Sequence, residues 1–194
     1  MADLKEWVEA KEEGDVVEEE FVQHCEDYGW TLLDLTGRFR NNAGAPIAKH
    51  KSKQIKTPDY LLSKPPLAPP IVAEVKSKHP HNDEYWLDDF RYDYFTELHQ
   101  EFSVAGLMVF KHKPYEVVDI DTFFCATAEH LAKNIHGYHL GGRPRFGKRN
   151  HVYTWKTDQF IPLKEFLTSD LISGGRYPFF IKRDKEWIEI SLER

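Results

Sequence analysis

At 194 residues the chain can bury a full core, and 41% hydrophobic against 30% charged residues fits a soluble globular protein, not a disordered or membrane-embedded one. No apolar run approaches membrane-spanning length, and the start Met-Ala-Asp-Leu-Lys-Glu is not a signal peptide, so a cytoplasmic location is expected. A formal charge of −6 runs against a nucleic-acid binder, but residues 1–20 hold nine acids against two lysines, and the other 174 carry 23 acids against 24 Lys and Arg.

Residues 4–30 read as helical, in one piece or in two broken at Gly14. Val17, Phe21, Cys25 and Tyr28 recur at amphipathic spacing, and Gly29 supplies a stop. Within Glu18-Glu19-Glu20 the helical rows differ. Glu18 aligns with Val22 and Cys25 at the edge of the apolar face, Glu19 with Gln23 and Glu26, and Glu20 with His24 and Asp27. Glu18 is therefore the carboxylate aimed nearest the core. Both cysteines, Cys25 and Cys125, sit in apolar surroundings and are expected as buried thiols of a reduced protein.

Trp30–Leu35 predicts a first strand, and Gly37–Lys56 a loop or hairpin with Asn41-Asn42-Ala43-Gly44 as turn material. Leu35–Pro58 contains no acid and six basic residues: Arg38, Arg40, Lys49, Lys51, Lys53 and Lys56. Asp59–Leu62 is a second short strand. Ser63–Pro70 is proline-rich and is expected as an irregular surface connection. Ile71–Lys76 reads as a central strand, in which Val72, Glu74 and Lys76 share one face and Ile71, Ala73 and Val75 the other.

Residues 83–104 predict a helix with a stripe of Leu87, Phe90, Tyr94, Leu98 and Phe102, which suits core packing better than base stacking. Trp86 and Tyr92 lie at or off its edge and are the better stacking candidates. Asp83, Glu84, Asp88 and Asp89 could assist a metal, though an acidic helix start is the simpler account. Ala105–Phe110 reads as a buried strand, Val117–Ile120 as another, and Thr122–His136 as a helix. His130–Thr157 is again free of acids, with Lys133, Arg143, Arg145, Lys148, Arg149 and Lys156, and its residues 137–151 form a glycine-punctuated basic loop. Two acid-free basic segments suit phosphate contact, with plain solvation as the alternative. No histidine pair has a tight spacing with cysteine, which argues against zinc. The tail offers a strand at Val152–Trp155, a short helix at Pro162–Thr168 and a last strand at Trp187–Leu192.

The chain is organised around Lys56 to Lys78. A carboxylate and an amine on one face of an apolar strand are costly to bury unless something pairs them, and a divalent cation between Asp59 and Glu74 with Lys76 alongside would do so. Pro58-Asp59 followed by Glu74-Val75-Lys76 resembles the PD-(D/E)XK nuclease superfamily. The bare acid-x-Lys string also occurs at Asp3-Leu4-Lys5 and Glu9-Ala10-Lys11, but only the third ends a β-branched apolar run and follows a Pro-Asp.

The resemblance covers residues 17–111. It implies an α/β restriction-endonuclease-like core with a mixed central sheet of four or five strands, flanked by helices 15–28 and 86–103. It also implies one nuclease domain over 1–194, with its core at about 15–120 and a C-terminal elaboration at 121–194. Asp59, Glu74, the Val75 carbonyl and Glu18 would hold Mg²⁺, with Mn²⁺ as substitute and Glu19 as the other helix candidate. Lys76, with its pKa depressed, would act in the chemical step. The activity implied is metal-dependent hydrolysis of DNA phosphodiesters by an endonuclease, with DNA and a second copy of the chain as partners. A silent nucleic-acid-binding module of the same fold and a metal-dependent RNase are the alternatives.

Overall fold

The computed structural model describes residues 2–35, 47–50, 53–64, 68–102, 104–112, 122–141, 150–169, 179–183 and 186–190. Helix α1 (Ala2–Asp27) runs unbroken through Gly14 and ends at Gly29, whose φ of 76° is the left-handed conformation that a glycine stop supplies. Strand β1 (Thr31–Asp34) follows, then a hairpin of β2 (Ile47–His50) and β3 (Lys53–Lys56). Strands β4 (Tyr60–Lys64) and β5 (Ala68–Lys78) come next. The proline segment is thus partly regular: β5 begins at Ala68 and includes Pro69 and Pro70, and the β4–β5 register shifts between Leu62 and Lys64.

The predicted helix over 83–104 is corrected. Asn82 and Asp83 both have positive φ, 52° and 58°, and His81 bridges Glu84 across them. Two left-handed residues in a row make a hairpin turn of the kind Asn and Asp tolerate. Strand β6 (Glu84–Asp88) follows, and helix α2 (Asp89–Phe102) starts only after it. The apolar stripe is also rotated: α2 buries Tyr92 and Phe95, while Phe90 and Tyr94 are exposed.

Strand β7 (Ala105–His112) then lies parallel to β5. The segment expected as a helix at 122–136 is instead strand β8 (Phe123–Thr127) and a short helix α3 (Ala128–Lys133) capped by the Thr127 side chain. Alternating burial of Phe123 and Cys125 against the opposite face lets β8 extend the sheet, and that gain outweighs local helix preference. Strand β9 (Gly137–Leu140) lies inside the expected basic loop, and β10 (His151–Lys156), β11 (Ile161–Pro162) and α4 (Leu163–Thr168) follow. The last pair is β12 (Phe179–Arg183) with β13 (Glu186–Ile190); β12 was not anticipated. The predicted strand at 117–120 lies outside the described residues.

The central sheet has six strands in the order β1-β4-β5-β7-β8-β11, mixed because only β5–β7 is parallel. The first three strands form an antiparallel meander, and α2 carries the chain across to β7, so the mixed sheet flanked by helices implied by the resemblance is the architecture observed. On one face, Val17, Phe21 and Cys25 of α1 and Leu163, Phe166 and Leu167 of α4 pack on Tyr60, Leu62, Ile71, Ala73, Val75, Leu107 and Val109. On the other, Tyr92 and Phe95 of α2 and Leu131 of α3 pack with Met108, Phe110, Tyr85, Leu87 and Trp155. The last three belong to β6 and β10 of a small sheet, β6-β10-β9. Cys25 and Cys125 are free and buried in the first layer. No helix among the described residues is long and apolar enough to cross a membrane.

Candidate active site

Asp59 stands directly before β4, and its carbonyl accepts from Leu35 N–H at 3.0 Å, tying it to the end of β1. Tyr60 and Leu62 take the α1 face, so strand alternation turns Asp59 to the α2 face, shared with Val72, Glu74 and Lys76 of β5. Asp59 and Glu74 are buried, at 4% and 5% exposure, in a sheet otherwise apolar at this level.

The three motif residues meet. The Lys76 ammonium lies 3.0 Å from Asp59 Oδ2 and 2.7 Å from Glu74 Oε1, and donates to the Val75 carbonyl at 2.8 Å. Asp59 Oδ2 also accepts from Val75 N–H at 2.8 Å. A lysine has three donors and no acceptor, so one cationic nitrogen is surrounded by three oxygens. These three belong to the four groups that the resemblance assigns to a metal; Glu18 is the fourth.

The electrostatics follow from two buried carboxylates sharing one ammonium. Burial raises the Asp59 pKa and the Glu74 charge adds to this, while Lys76 and the Val75 N–H act against it. For Lys76, burial is the largest influence and disfavours the charged amine, but the attraction of Glu74 and Asp59 together outweighs it and the pKa is raised. That reverses the expected depression. The expectation presumed a metal beside the amine, whereas here the amine itself neutralises the carboxylates.

The fit of the residues to a metal rests on this donor set. Asp59, Glu74 and the Val75 carbonyl are hard oxygens converging on one positive charge, which suits Mg²⁺ or Mn²⁺. Among the described residues no three Asp, Glu, His or Cys side chains form a metal-holding group. Glu18 is not one of these oxygens: its Oε2 accepts from the Tyr60 hydroxyl at 3.4 Å, on the face that α1 covers. Burial, then the charges of Glu18, Asp34 and Asp59, push the Tyr60 phenol up. Glu19 is exposed. Glu20, placed by helical rows on a polar face, is instead paired with the buried Lys111 of β7. Only the tertiary fold brings that lysine to α1.

Of the other acids weighed above, Glu84 pairs with His136 at 2.7 Å and Lys156 at 2.8 Å, Asp88 with Arg91 at 3.6 Å, and Asp89 accepts from Tyr138 at 3.3 Å. Of the two stacking candidates, Tyr92 is buried and Trp86 is 37% exposed. Sequence reasoning missed Arg91, which lies on α2 close enough for its charge to act on Lys76. The stripe read over 83–104 left out Phe95, which α2 buries, so the sequence carried no signal for Arg91.

Of the basic residues, Lys49 lies on β2 and Lys53 and Lys56 on β3, a hairpin strand that lies against α2. Lys133 pairs with Glu129 at 2.8 Å. Arg38, Arg40, Lys51, Arg143, Arg145, Lys148 and Arg149 lie outside the described residues.

No family model and no curated protein matches the chain. Among solved structures it is similar to Hjc of Archaeoglobus fulgidus, a Holliday junction resolvase from an archaeal hyperthermophile. The identity is 11%, the match covers 79% of this chain and 99% of that one, and the TM-score is 0.49.

Proposed function

We propose that this chain is a metal-dependent endonuclease that hydrolyses phosphodiester bonds in DNA. The observation that carries the reading is the convergence of Asp59 Oδ2, Glu74 Oε1 and the Val75 carbonyl on one cationic centre, within 3.0 Å of Lys76 Nζ. Phosphodiester hydrolysis needs charge stabilisation at the phosphoryl oxygens, an attacking water and help for the leaving oxygen. Asp59, Glu74 and the Val75 carbonyl would hold Mg²⁺ or Mn²⁺. The ion, when bound, polarises the phosphate and lowers the pKa of a coordinated water.

The chain's own residues do the rest. Lys76 is a fixed positive charge on the same strand face as Glu74, positioned to orient the water and to attract charge growing on the phosphoryl oxygens. Asp59 is held by Val75 N–H, so its second oxygen is available without backbone rearrangement. The acid-free segments 35–58 and 130–157 supply the phosphate contacts, and the β2–β3 hairpin of the first lies against α2, the helix covering the Glu74 and Lys76 face. Cutting both strands of a duplex takes two such sites, which a homodimer would provide.

The test is incubation with supercoiled, linear, branched and single-stranded DNA, and with RNA, in Mg²⁺, Mn²⁺ or EDTA. Metal-dependent nicking or cutting of DNA is expected. Cleavage of RNA alone would make the protein an RNase, and binding without cleavage on every substrate would make it a silent module.

A further inference from the structure

Helix α2 carries a guanidinium to the buried carboxylates. Arg91 stands one position before Tyr92 and four before Phe95, the two residues through which α2 packs on the sheet, so its side chain leaves the helix beside that contact. Strand β6 leads to the same place by a second route. The hairpin turn at Asn82–Asp83 runs β6 back along the end of β5, and Lys78 of β5 meets the Trp86 ring of β6, 3.3 Å from its centroid. Side chains on one face of a strand step two residues at a time, about 7 Å. One step back from Lys78 along β5 is Lys76, and one step on from Trp86 along β6 is Asp88. Asp88 Oδ2 lies 3.6 Å from Arg91 Nε. The pair thus stands beside Lys76, where the Arg91 charge opposes protonation of the lysine amine.

Arg91 is loosely held there. A separation of 3.6 Å is too long for a hydrogen bond, and Nε is buried with no hydrogen-bond partner among the described residues. A guanidinium has five donors, no acceptor and a charge it cannot shed. A buried donor without a partner is costly, and so are two like charges side by side. Both costs fall when an anion joins Lys76 and Arg91, and the arginine side chain is 29% exposed, so an anion can reach it from solvent. A phosphodiester suits the position, because its two non-bridging oxygens match the planar fork of a guanidinium. We propose that Arg91 binds a non-bridging oxygen of the phosphate that meets Asp59, Glu74 and Lys76. The proposal rests on the nuclease reading for calling that phosphate scissile, but the contact itself is a binding property.

The test is binding of a labelled DNA duplex in EDTA over a salt series, with Arg91→Met, Arg91→Gln, Arg91→Lys and a control, Lys164→Met. Lys164 is exposed on α4, on the other side of the sheet. Arg91→Met and Arg91→Gln keep a stem and remove the charge, and unfolding curves show that each is folded. Each is expected to weaken binding about threefold to tenfold and to lower the salt slope by about one unit. Arg91→Lys should keep the slope and weaken binding about twofold, because an ammonium offers no fork. Lys164→Met should change neither quantity. Where wild-type cleavage maps the cut linkage, an uncharged methylphosphonate placed there should weaken wild-type binding to about the level of Arg91→Met. The variant should then lose little more, since both changes remove one contact. A wild-type salt slope in a folded, uncharged Arg91 variant overturns the proposal, as does absence of salt-dependent binding by the wild type. A full further loss when the methylphosphonate meets Arg91→Met overturns it too. Loss of slope in the variants with no cleavage by the wild type keeps the phosphate contact and ends the nuclease reading alone. Metal-dependent cleavage by the wild type with an unchanged slope in the variants ends the proposal and leaves that reading standing.

Discussion

Lys76 holds two buried carboxylates that would otherwise face each other across a low-dielectric site. Removing one partner of a buried charge cluster costs about 3–5 kcal/mol, because the remaining charges are left without compensation. Lys76→Ala should therefore lose orders of magnitude in cleavage rate and, in EDTA, stability of that order, with Mg²⁺ restoring part of the stability by replacing the missing charge. Denaturant unfolding in EDTA and in Mg²⁺ measures this. Wild-type stability in EDTA would mean that the lysine does not neutralise the pair. Asp59→Asn is a milder change, since the amide oxygen still accepts from Val75 N–H and the backbone connection survives. It should abolish cleavage and weaken Mn²⁺ binding without unfolding the chain. A variant that cuts at the wild-type rate when metal is limiting would move the site elsewhere.

At the scale of elements, the face that carries Glu74 and Lys76 depends on how closely α2 approaches the sheet. Gly106 of β7 permits it: a Cβ there would stand 2.7 Å from Phe95 Cζ and 3.1 Å from the Ala128 methyl. Phe95 is itself buried between α2 and the sheet, so its ring cannot swing aside freely. Overpacking of this kind costs about 1–3 kcal/mol, more than the roughly 0.4–1 kcal/mol that alanine recovers by restricting the unfolded chain. Gly106→Ala should therefore lower Tm by several degrees, read by calorimetry. A raised Tm would show that α2 can shift without loss.

For the molecule as a whole, two histidines set the expected acid response. Burial lowers the pKa of His112, assisted by the charge of His79, and burial lowers that of His130 against a hydrogen bond to the Gln159 side-chain oxygen. His112 Nδ1 lies 2.9 Å from the Tyr85 hydroxyl, whose own pKa burial raises, so the phenol stays protonated beside the ring. Both histidines are favoured neutral when folded. Below their ordinary value of about 6.5 the unfolded chain binds more protons, so stability is fully present above that pH and falls as pH drops toward the folded values. Each contributes at most about 1.4 kcal/mol per pH unit. Unfolding curves between neutral and mildly acidic pH should show this slope, and replacing both residues by Gln should flatten it. An unchanged slope would assign the acid response to carboxylates.

The sequence by itself determined what depends on neighbours along the chain. The alternation in Ile71–Lys76 placed Glu74 and Lys76 on one face and Ile71, Ala73 and Val75 on the other, and the structure keeps that division. The spacing of Val17, Phe21 and Cys25 likewise named the buried face of α1, and Gly29 its stop. Pairing and competition between distant segments were decided only by the tertiary structure. Residues 84–88 and 123–127 carry mixed or helix-compatible patterns locally, and they become strands because β10 and β7 offer them ladders and cores to fill. The turn that frees β6 hangs on two left-handed residues, Asn82 and Asp83, which no hydrophobic period can register. Glu20 turns inward because Lys111, 91 positions away, is buried beside it. Glu18 meets Tyr60 for the same reason, a contact across 42 positions. The placement of Lys76 beside Glu74 was legible, but not its raised pKa, because a charge answers to every charge within several ångströms and not to its neighbours in sequence.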